Sequence, residues 1–368
     1  MYRNMINKVL GGGMLALPLC LVGCNDSVID DNTDGEPVQM FASIAGRNAV
    51  ESRALYANEV QYWNLDEFYK GNKINVDAWH FRDLDGVRKT ETSFFDSQEM
   101  TYDGSSSWIY SPVKYWPNVV DEKLAVCAYI KCTSTTNTSY CTITKNSTSG
   151  YNMKFVKSGI IDDIVVAPLT EVSRSELVEG KIPLKFYHIL AQVKARVKYI
   201  PSNDAKPEEN FLTVKKIELQ KYCVSGTFSG FADVDGVPTA QWSGQGMSQA
   251  HQKVVDTKDY RIEANNDFKL LDEFIFCQIP FDSPFGGTDY SQLRLYVAFD
   301  NETYPDNKDE NEHDISGIEY VKNVTFQLKP GKTTTFDITI NGKDIFVDVS
   351  VDGEPDWSGD GGTINAGF

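Results

Sequence analysis

Cys24 is the residue whose surroundings best predict a covalent modification. It follows Leu-Val-Gly at residues 21–23, the end of a short apolar stretch that begins at residue 9. Arg3 and Lys8 give this stretch a positively charged N-terminal flank. The stretch is too short to span a bilayer and has the features of a cleaved signal peptide. A nucleophilic thiol directly after such a signal is suited to accept a lipid.

The sequence around Cys24 resembles a bacterial lipobox. The resemblance implies cleavage after Gly23, transfer of a diacylglyceryl group to the Cys24 thiol, and retention in the outer membrane. Two or three acyl chains hold a protein firmly, because each buried methylene contributes about 0.8 kcal/mol. The alternative is a plain secretory signal followed by an incidental cysteine.

The other reactive side chains form no recognisable catalytic set. The histidines His80, His188, His251 and His313 are scattered without the spacing of zinc ligands. The sequence also lacks the P-loop, GxSxG and GxGxxG motifs. Acidic residues are so abundant that no pair of them identifies a glycosidase. We therefore expect no enzymatic activity, no cofactor and no catalytic metal.

Two further features leave alternatives open. The acidic segment 300–314 has ligands for calcium, although such a segment is more typical of a solvated loop. Cys132 and Cys141 flank a polar stretch and can pair across a hairpin in an oxidising compartment. Buried free thiols are the alternative for these two cysteines.

Composition excludes some classes of function. The chain has 368 residues, is 41% hydrophobic and carries a net charge of −17. This hydrophobic content is sufficient for folded cores, and the length suggests about two domains. A negative chain without a basic stripe does not fit nucleic-acid binding, because nothing neutralises the phosphates.

Strand patterns dominate the rest of the sequence. Residues 123–130 form a short apolar run, and residues 191–199, 293–299 and 334–340 alternate between apolar and polar side chains. No segment longer than about ten residues keeps a helical period of apolar side chains. The pattern predicts an all-β chain with two β-sandwiches in series.

The polar segment 201–210, which contains two prolines, is the best candidate for a boundary between the sandwiches. We predict four parts: a signal peptide (1–23), a lipidated propeptide with a tether and a strand (24–53), an N-terminal sandwich (54–203) and a C-terminal sandwich (204–368).

Two strands near the ends of the chain each have one apolar face. The apolar face of the first is formed by Val38, Met40, Ala42 and Ile44, and that of the second by Ile345, Val347, Val349 and Val351. A strand of this kind needs a groove that covers its apolar side. We interpret the second strand as an interaction strand, with an ordinary edge strand of its own sandwich as the alternative.

Several segments together resemble the fimbrillin family of Bacteroidales, which supplies the subunits of type V pili. They are WIYSPVKYWP (108–117), LAVCAYI (124–130), DDIVVAP (162–168), IPLKFYHILAQVKARVKY (182–199), VKKIELQKYCVSGTF (214–228), FIFCQIP (274–280), LKPGKTTTFDITI (328–340) and VDVSVDGEPDW (347–357). The segment FCQIP departs from the family, which more often has an apolar run ending in Pro-Gln. The resemblance implies two tandem transthyretin-like, Greek-key sandwiches, export as a lipoprotein and assembly by donor-strand exchange.

The resemblance also implies removal of the first strand by an arginine-specific or trypsin-like protease. Cleavage between Arg53 and Ala54 removes the lipid and residues 38–44 together, and cleavage between Arg47 and Asn48 is the alternative. The C-terminal strand of a neighbour then fills the vacated groove. The expected protein is a fimbrial subunit at the cell surface, attached to the outer membrane through Cys24 and partnered by other fimbrial subunits.

The family includes stalk, anchor and tip subunits, and the sequence names no receptor. The alternative function is a surface glycan-binding lipoprotein of a polysaccharide-uptake system. Exposed aromatic platforms would favour that alternative, whereas a removable N-terminal strand would favour the fimbrial subunit.

Overall fold

The computed structural model of the chain describes residues 35–44, 73–84, 86–103, 108–117, 122–131, 140–156, 163–177, 180–201, 211–220, 223–247, 251–253, 259–264, 267–271, 276–281, 291–300, 302–309, 312, 314–352 and 361–364. The strands in these residues are β1 Gln39–Ile44, β2 Lys73–Leu84, β3 Val87–Tyr102, β4 Trp108–Ile109, β5 Glu122–Lys131, β6 Cys141–Asn146, β7 Gly150–Val156, β8 Ile164–Ser173, β9 Lys181–His188, β10 Ala191–Ile200, β11 Phe211–Gln220, β12 Cys223–Val234, β13 Val237–Met247, β14 His251–Lys253, β15 Tyr260–Glu263, β16 Lys269–Leu270, β17 Phe276–Gln278, β18 Ser291–Phe299, β19 Ile318–Val324, β20 Thr333–Asn341, β21 Asp344–Asp352 and β22 Gly361–Ile364. The helical structure in the same residues is limited to a 3₁₀ turn, Arg174–Glu176. None of the residues described here forms a helix of the length and hydropathy that a membrane crossing needs.

The strands form four sheets, which confirms the prediction of an all-β chain. The orders are β1-β9-β8-β5-β2-β3-β4, then β16-β10-β20-β21-β22 with β17 also paired to β10, then β14-β11-β18-β19 with β15 also paired to β11, and β13-β12-β7-β6. Most neighbouring strands are antiparallel, but β1 runs parallel to β9 and β10 runs parallel to β20.

The seven-stranded sheet encloses a first core. Its apolar members come from β1, β2, β3, β5, β8 and β9, together with Trp108 and Trp116. Both tryptophans are buried, which agrees with the large apolar area that this side chain contributes to a core.

The central strand β5 is buried on both of its faces. Val126 and Ala128 face the first core, while Cys127 between them belongs to a second core. The continuous apolar run at 123–130 therefore has the structure that its sequence predicts, a buried strand without polar alternation.

The second core lies between the other three sheets and one face of the seven-stranded sheet. Alternate residues of β10, β20 and β21 meet alternate residues of β11 and β18, with the four-stranded sheet packed beside them. The strict alternation of β10 and β18 produces this arrangement, because successive side chains point to opposite faces of a strand.

Strand pairing crosses the predicted domain boundary. The division at 203–204 falls outside the described residues, but β10 precedes it and pairs with β20 over nine residues. Likewise, β7 from the first half pairs with β12 from the second half. The two predicted halves thus share sheets, and the division at 203–204 stays a prediction.

Candidate functional site

The first strand, β1, and the preceding residue Val38 insert an apolar face into the first core. Val38, Met40 and Ala42 are almost fully buried, while Gln39 and Phe41 are exposed. Burial of three such side chains stabilises the docked strand by on the order of 5 kcal/mol. The alternation predicted for the N-terminal strand is therefore present, although the side chain of its fourth member, Ile44, lies outside the description.

Along its length β1 pairs with β9 at the edge of the seven-stranded sheet. The parallel register joins Gln39 to Lys181 and continues through six residue pairs to Ile44 and Phe186. The inward side chains of β9, which are Ile182, Leu184 and Phe186, are fully buried in the same core. Without β1, these side chains would be exposed to solvent. The edge of β9 would also lose its backbone hydrogen-bond partners.

The segment 110–116 contacts the start of β1 on the side away from β9. The backbone N–H of Val38 donates to the carbonyl of Lys114 at 2.9 Å, and the N–H of Trp116 donates to the carbonyl of Glu36 at 3.0 Å. The hydroxyl of Tyr110 donates to the carbonyl of Val38 at 2.7 Å. Burial raises the pKa of Tyr110, so the hydroxyl keeps its proton and remains a donor at neutral pH.

An ion pair holds the residue just before β1. One carboxylate oxygen of Glu36 lies 2.9 Å from the guanidinium of Arg174, in the 3₁₀ turn that follows β8. Both side chains are about half exposed, so this pair contributes less than the buried contacts do. We call residues 110–116 together with Arg174 the clamp, because they hold the start of β1 in place.

Substitution of Tyr110 tests the clamp. Tyr110→Phe removes the donor to the Val38 carbonyl and should lower the free energy of unfolding by about 1–2 kcal/mol, measured by urea denaturation. Arg174→Gln is the control, with an expected change below about 0.5 kcal/mol because the ion pair is exposed. A loss below about 0.5 kcal/mol for Tyr110→Phe, as small as that expected for the control, would contradict a contribution of the hydroxyl to β1 docking.

The C-terminal interaction strand of the sequence analysis corresponds to β21. Ile345, Val347 and Val349 are buried in the second core, and Phe346 between them is exposed. β21 pairs with β20 on one side and with β22 on the other. In the isolated chain this strand thus belongs to its own sandwich, which is the alternative that the sequence left open. If β21 acts as a donor, it must first leave this position.

The predicted modification and cleavage sites lie outside the described residues. They are Cys24, Arg47, Asn48, Arg53 and Ala54. Lipid attachment and proteolysis at these positions therefore stay predictions.

Lysines of β11 form ion pairs with carboxylates of the acidic segment 300–314. The ammonium of Lys215 lies 3.0 Å from carboxylates of both Asp259 and Asp314, and that of Lys216 lies 3.2 Å from Asp309. Burial lowers the pKa of Lys216, but its hydrogen bonds and charge interactions with Glu218 and Asp309 outweigh this effect and raise it. Ion pairs with lysine thus account for carboxylates that a calcium site would need.

The remaining candidates for chemistry that the structure describes include His188 and three cysteines. His188 contacts Asp163 at 2.7 Å inside the fold, and no group of three His, Cys, Asp or Glu side chains in the described ranges could hold a metal ion. Burial raises the pKa of Cys127 and Cys223 to about 12, so both thiols stay protonated. Cys141 is a free thiol, and its candidate disulfide partner Cys132 lies outside the description.

Residues 52–353 match a protein-family model that is described as fimbrillin-like. A comparison with curated proteins gave no match.

Solved structures that match this chain include fimbrial and putative cell adhesion proteins. A fimbrial protein from Bacteroides vulgatus is 16% identical with a TM-score of 0.52, over 87% of this chain and 99% of that one. A putative cell adhesion protein from Bacteroides ovatus is 13% identical with a TM-score of 0.44, over 85% and 96% of the two chains. The tip fimbrial protein Mfa3 from Porphyromonas gingivalis is 11% identical with a TM-score of 0.31, over 78% and 95%.

The match to the fimbrial protein from Bacteroides vulgatus supports the all-β sandwich fold. The family match covers most of the chain, from the residues after β1 to the end of β21. This chain belongs to the fimbrillin-like family.

Proposed function

We propose that the chain is a subunit of a surface fimbria, exported as a lipoprotein acylated on Cys24 and assembled by donor-strand exchange. One observation carries the proposal. β1 lies N-terminal to the part of the chain that matches the family, yet it fills a groove in the first core with three buried side chains. A segment with these properties is a removable plug.

Proteolysis between β1 and β2 turns the plug into a separate peptide. Arg53–Ala54 and, as the alternative, Arg47–Asn48 are the bonds at which an arginine-specific or trypsin-like protease would cut. After either cut, the contacts that the structure describes for β1 are its ladder with β9, its apolar face and the clamp. Loss of the peptide also removes the lipid and releases the subunit from the outer membrane.

The empty groove then needs a new strand. Ile182, Leu184 and Phe186 would face water, and the edge of β9 would carry unpaired N–H and C=O groups. A strand from another copy relieves both costs at once, because it supplies apolar side chains at every second residue and backbone partners for β9.

The C-terminal segment 344–368 is the proposed donor. Ile345, Val347, Val349 and Val351 have the same spacing as the four apolar positions of β1. Departure of β21 uncovers three side chains in its own core, and insertion into a neighbour's groove covers them again. Departure of β21 also uncovers apolar residues of its own core and one edge of β20, so the exchange requires that the neighbour's groove is empty and gains a strand in return.

Native assembly and acylation are tested together in the cell. Wild-type subunits should run as a heat-resistant ladder on a denaturing gel and should incorporate a palmitate analogue before assembly. The Cys24→Ala variant should lose the label and the ladder. Equal label in both chains would refute the anchor, and labelled chains that never form a ladder would refute the fimbrial role.

The glycan-binding alternative receives no support from the two tryptophans of the segment 108–117. Trp108 and Trp116, which are suitable in type for a sugar platform, are packed in the first core with 5% and 3% of their surface exposed.

A further inference from the structure

We infer that Lys216 and Asp309 become joined by an intramolecular amide bond after the chain has folded, with Glu218 as the group that moves the proton. The bond links the side-chain nitrogen of Lys216, in β11, to the side-chain carboxyl carbon of Asp309, in the segment that follows β18. It is a covalent modification within one chain, and it needs neither the lipid nor the proteolysis proposed above.

The three side chains are buried although they lie outside the second core. Ile217 points into that core, so its neighbours Lys216 and Glu218 point to the other face of the strand. Only 6% of the Lys216 side chain and 8% of the Glu218 side chain are exposed. The side chain of Asp309, which belongs to the acidic segment 300–314, is 4% exposed. An amine and two carboxylates therefore meet at a place that is largely shielded from water.

The side-chain nitrogen of Lys216 lies between the two carboxylates. Its Nζ atom is 3.2 Å from Oδ2 of Asp309 and forms an ion pair with Oε1 of Glu218. The carboxyl carbon of Asp309 is one bond farther along, so a small side-chain movement brings it to the roughly 3–3.5 Å of a near-attack geometry. The ring of Tyr296, opposite Lys216 in the β11–β18 ladder, has its centroid 5.5 Å from Nζ and limits the movement of the amine.

Proton transfer inside this cluster supplies the reactive forms. An amine attacks a carboxyl group only after it has lost its proton, and the carboxyl group must be neutral to release water. In the ion-paired state one ammonium faces two carboxylates. Transfer of the ammonium proton through Glu218 to Asp309 gives a neutral amine, a neutral acid and one carboxylate, with the same net charge. Burial favours these neutral forms because it removes water from the charged ones.

The ion pairs set the pace of the reaction. Burial favours loss of the Lys216 proton, but the hydrogen bonds and charges of Glu218 and Asp309 outweigh this effect and raise the pKa of Lys216. The neutral amine is therefore a minor form, and the bond forms slowly.

The covalent step balances without a co-reactant. The lone pair of Nζ attacks the carboxyl carbon of Asp309, so that a C–N bond forms and the C–OH bond breaks. Glu218 accepts the proton that the nitrogen loses and passes it to the departing hydroxyl, which leaves as water. The products are one amide, one water and the Glu218 carboxylate. Because the amide is shielded from water, its hydrolysis is slow and cross-linked chains accumulate.

Peptide mapping of the full chain, purified from cells and kept folded during a prolonged incubation, tests this bond. Trypsin cleaves after lysine but not after a lysine whose side chain is acylated. We expect residues 216–221 and 309–322 to be recovered as one branched peptide, about 18 Da lighter than the two peptides together. Cleavage after Lys216 in nearly all chains would overturn the inference. A loss of water confined to the peptide 309–322 would also overturn it, because that loss marks a cyclic imide of Asp309.

Three variants separate the covalent chemistry from ion pairing. Asp309→Asn keeps an electrophilic carbonyl and releases ammonia in place of water, so it should give the same branched peptide with the same mass. Glu218→Gln cannot accept the proton and should slow cross-linking at least about 100-fold; an unchanged rate would overturn the role of Glu218. Lys216→Arg keeps the positive charge but forms no amide. Since the cross-link closes a loop of roughly 90 residues, this variant should unfold about 10 °C below the cross-linked wild type.

Discussion

A disulfide that fastens β21 to its own sheet should keep the cleaved protein monomeric. Thr339 and Phe346 are opposite each other in the β20–β21 ladder, and Phe346 points outward with 45% of its surface exposed. Directly opposed residues of antiparallel strands are about 4.5–5.5 Å apart at Cα, within the range that a disulfide spans. The double variant Thr339→Cys/Phe346→Cys therefore locks the strand without entering the core.

We expect the oxidised variant to lose assembly completely and to regain it after reduction. Size-exclusion chromatography of the protease-treated protein measures assembly. The single variant Thr339→Cys is the control and should assemble under both conditions. If the oxidised double variant assembles as fast as wild type, β21 is not the donor. The residues after it, 353–368, would then have to supply the strand, and their deletion would abolish assembly.

Met40→Asp should expel β1 from the groove before any proteolysis. Met40 is 1% exposed in the first core, so the substitution loses the burial of a large apolar side chain and places a carboxylate in its position. We expect the free energy of unfolding to fall by more than about 3 kcal/mol. We also expect the uncut chain to associate in solution, because its groove is open.

The neighbouring residue provides a matched control. Phe41→Asp introduces the same carboxylate one position later, on the face that is 48% exposed, and should change stability by less than about 1 kcal/mol. Urea denaturation and light scattering of the uncut variants measure both effects. Similar stability of the two variants would contradict the assignment of β1 as a plug.

The strands of the site were predictable from sequence because their period is local. Val38, Met40 and Ala42 alternate with polar or exposed positions, and so do the apolar residues of β21. Alternation of this kind indicates that a strand has one buried face, whichever strand it pairs with. The structure has both strands, with three buried side chains on the inward face of each, while Val351 is only partly buried and the side chain of Ile44 lies outside the description.

The partners of these strands were not predictable in the same way. Nothing in the local sequence of β1 indicates a parallel ladder with β9, which is some 140 residues later. The hydrogen bond from Tyr110 to Val38 joins residues 72 apart, so the clamp was missed, although Tyr110 belongs to a segment that carried the family resemblance. Pairing partners depend on the whole fold, and local periodicity contains no information about them.

The C-terminal strand shows a further limit. Its apolar face suggested an interaction strand that needs a groove to cover it. In the structure, however, β21 pairs with a neighbouring strand on each side. The outer partner, β22, has the sequence Gly-Gly-Thr-Ile, and glycine is depleted in strands, so composition gave no sign of it. The same apolar spacing thus fits a strand in its own core and a donor to a neighbour.

N-terminal sequencing of subunits isolated from assembled fibres tests the central claim most directly. Strand exchange after removal of β1 predicts subunits that begin at Ala54, or at Asn48 if the alternative bond is cut, with residues 36–44 absent from the fibre. Fibre subunits that retain residues 36–44, and in particular chains still acylated at Cys24, would contradict it.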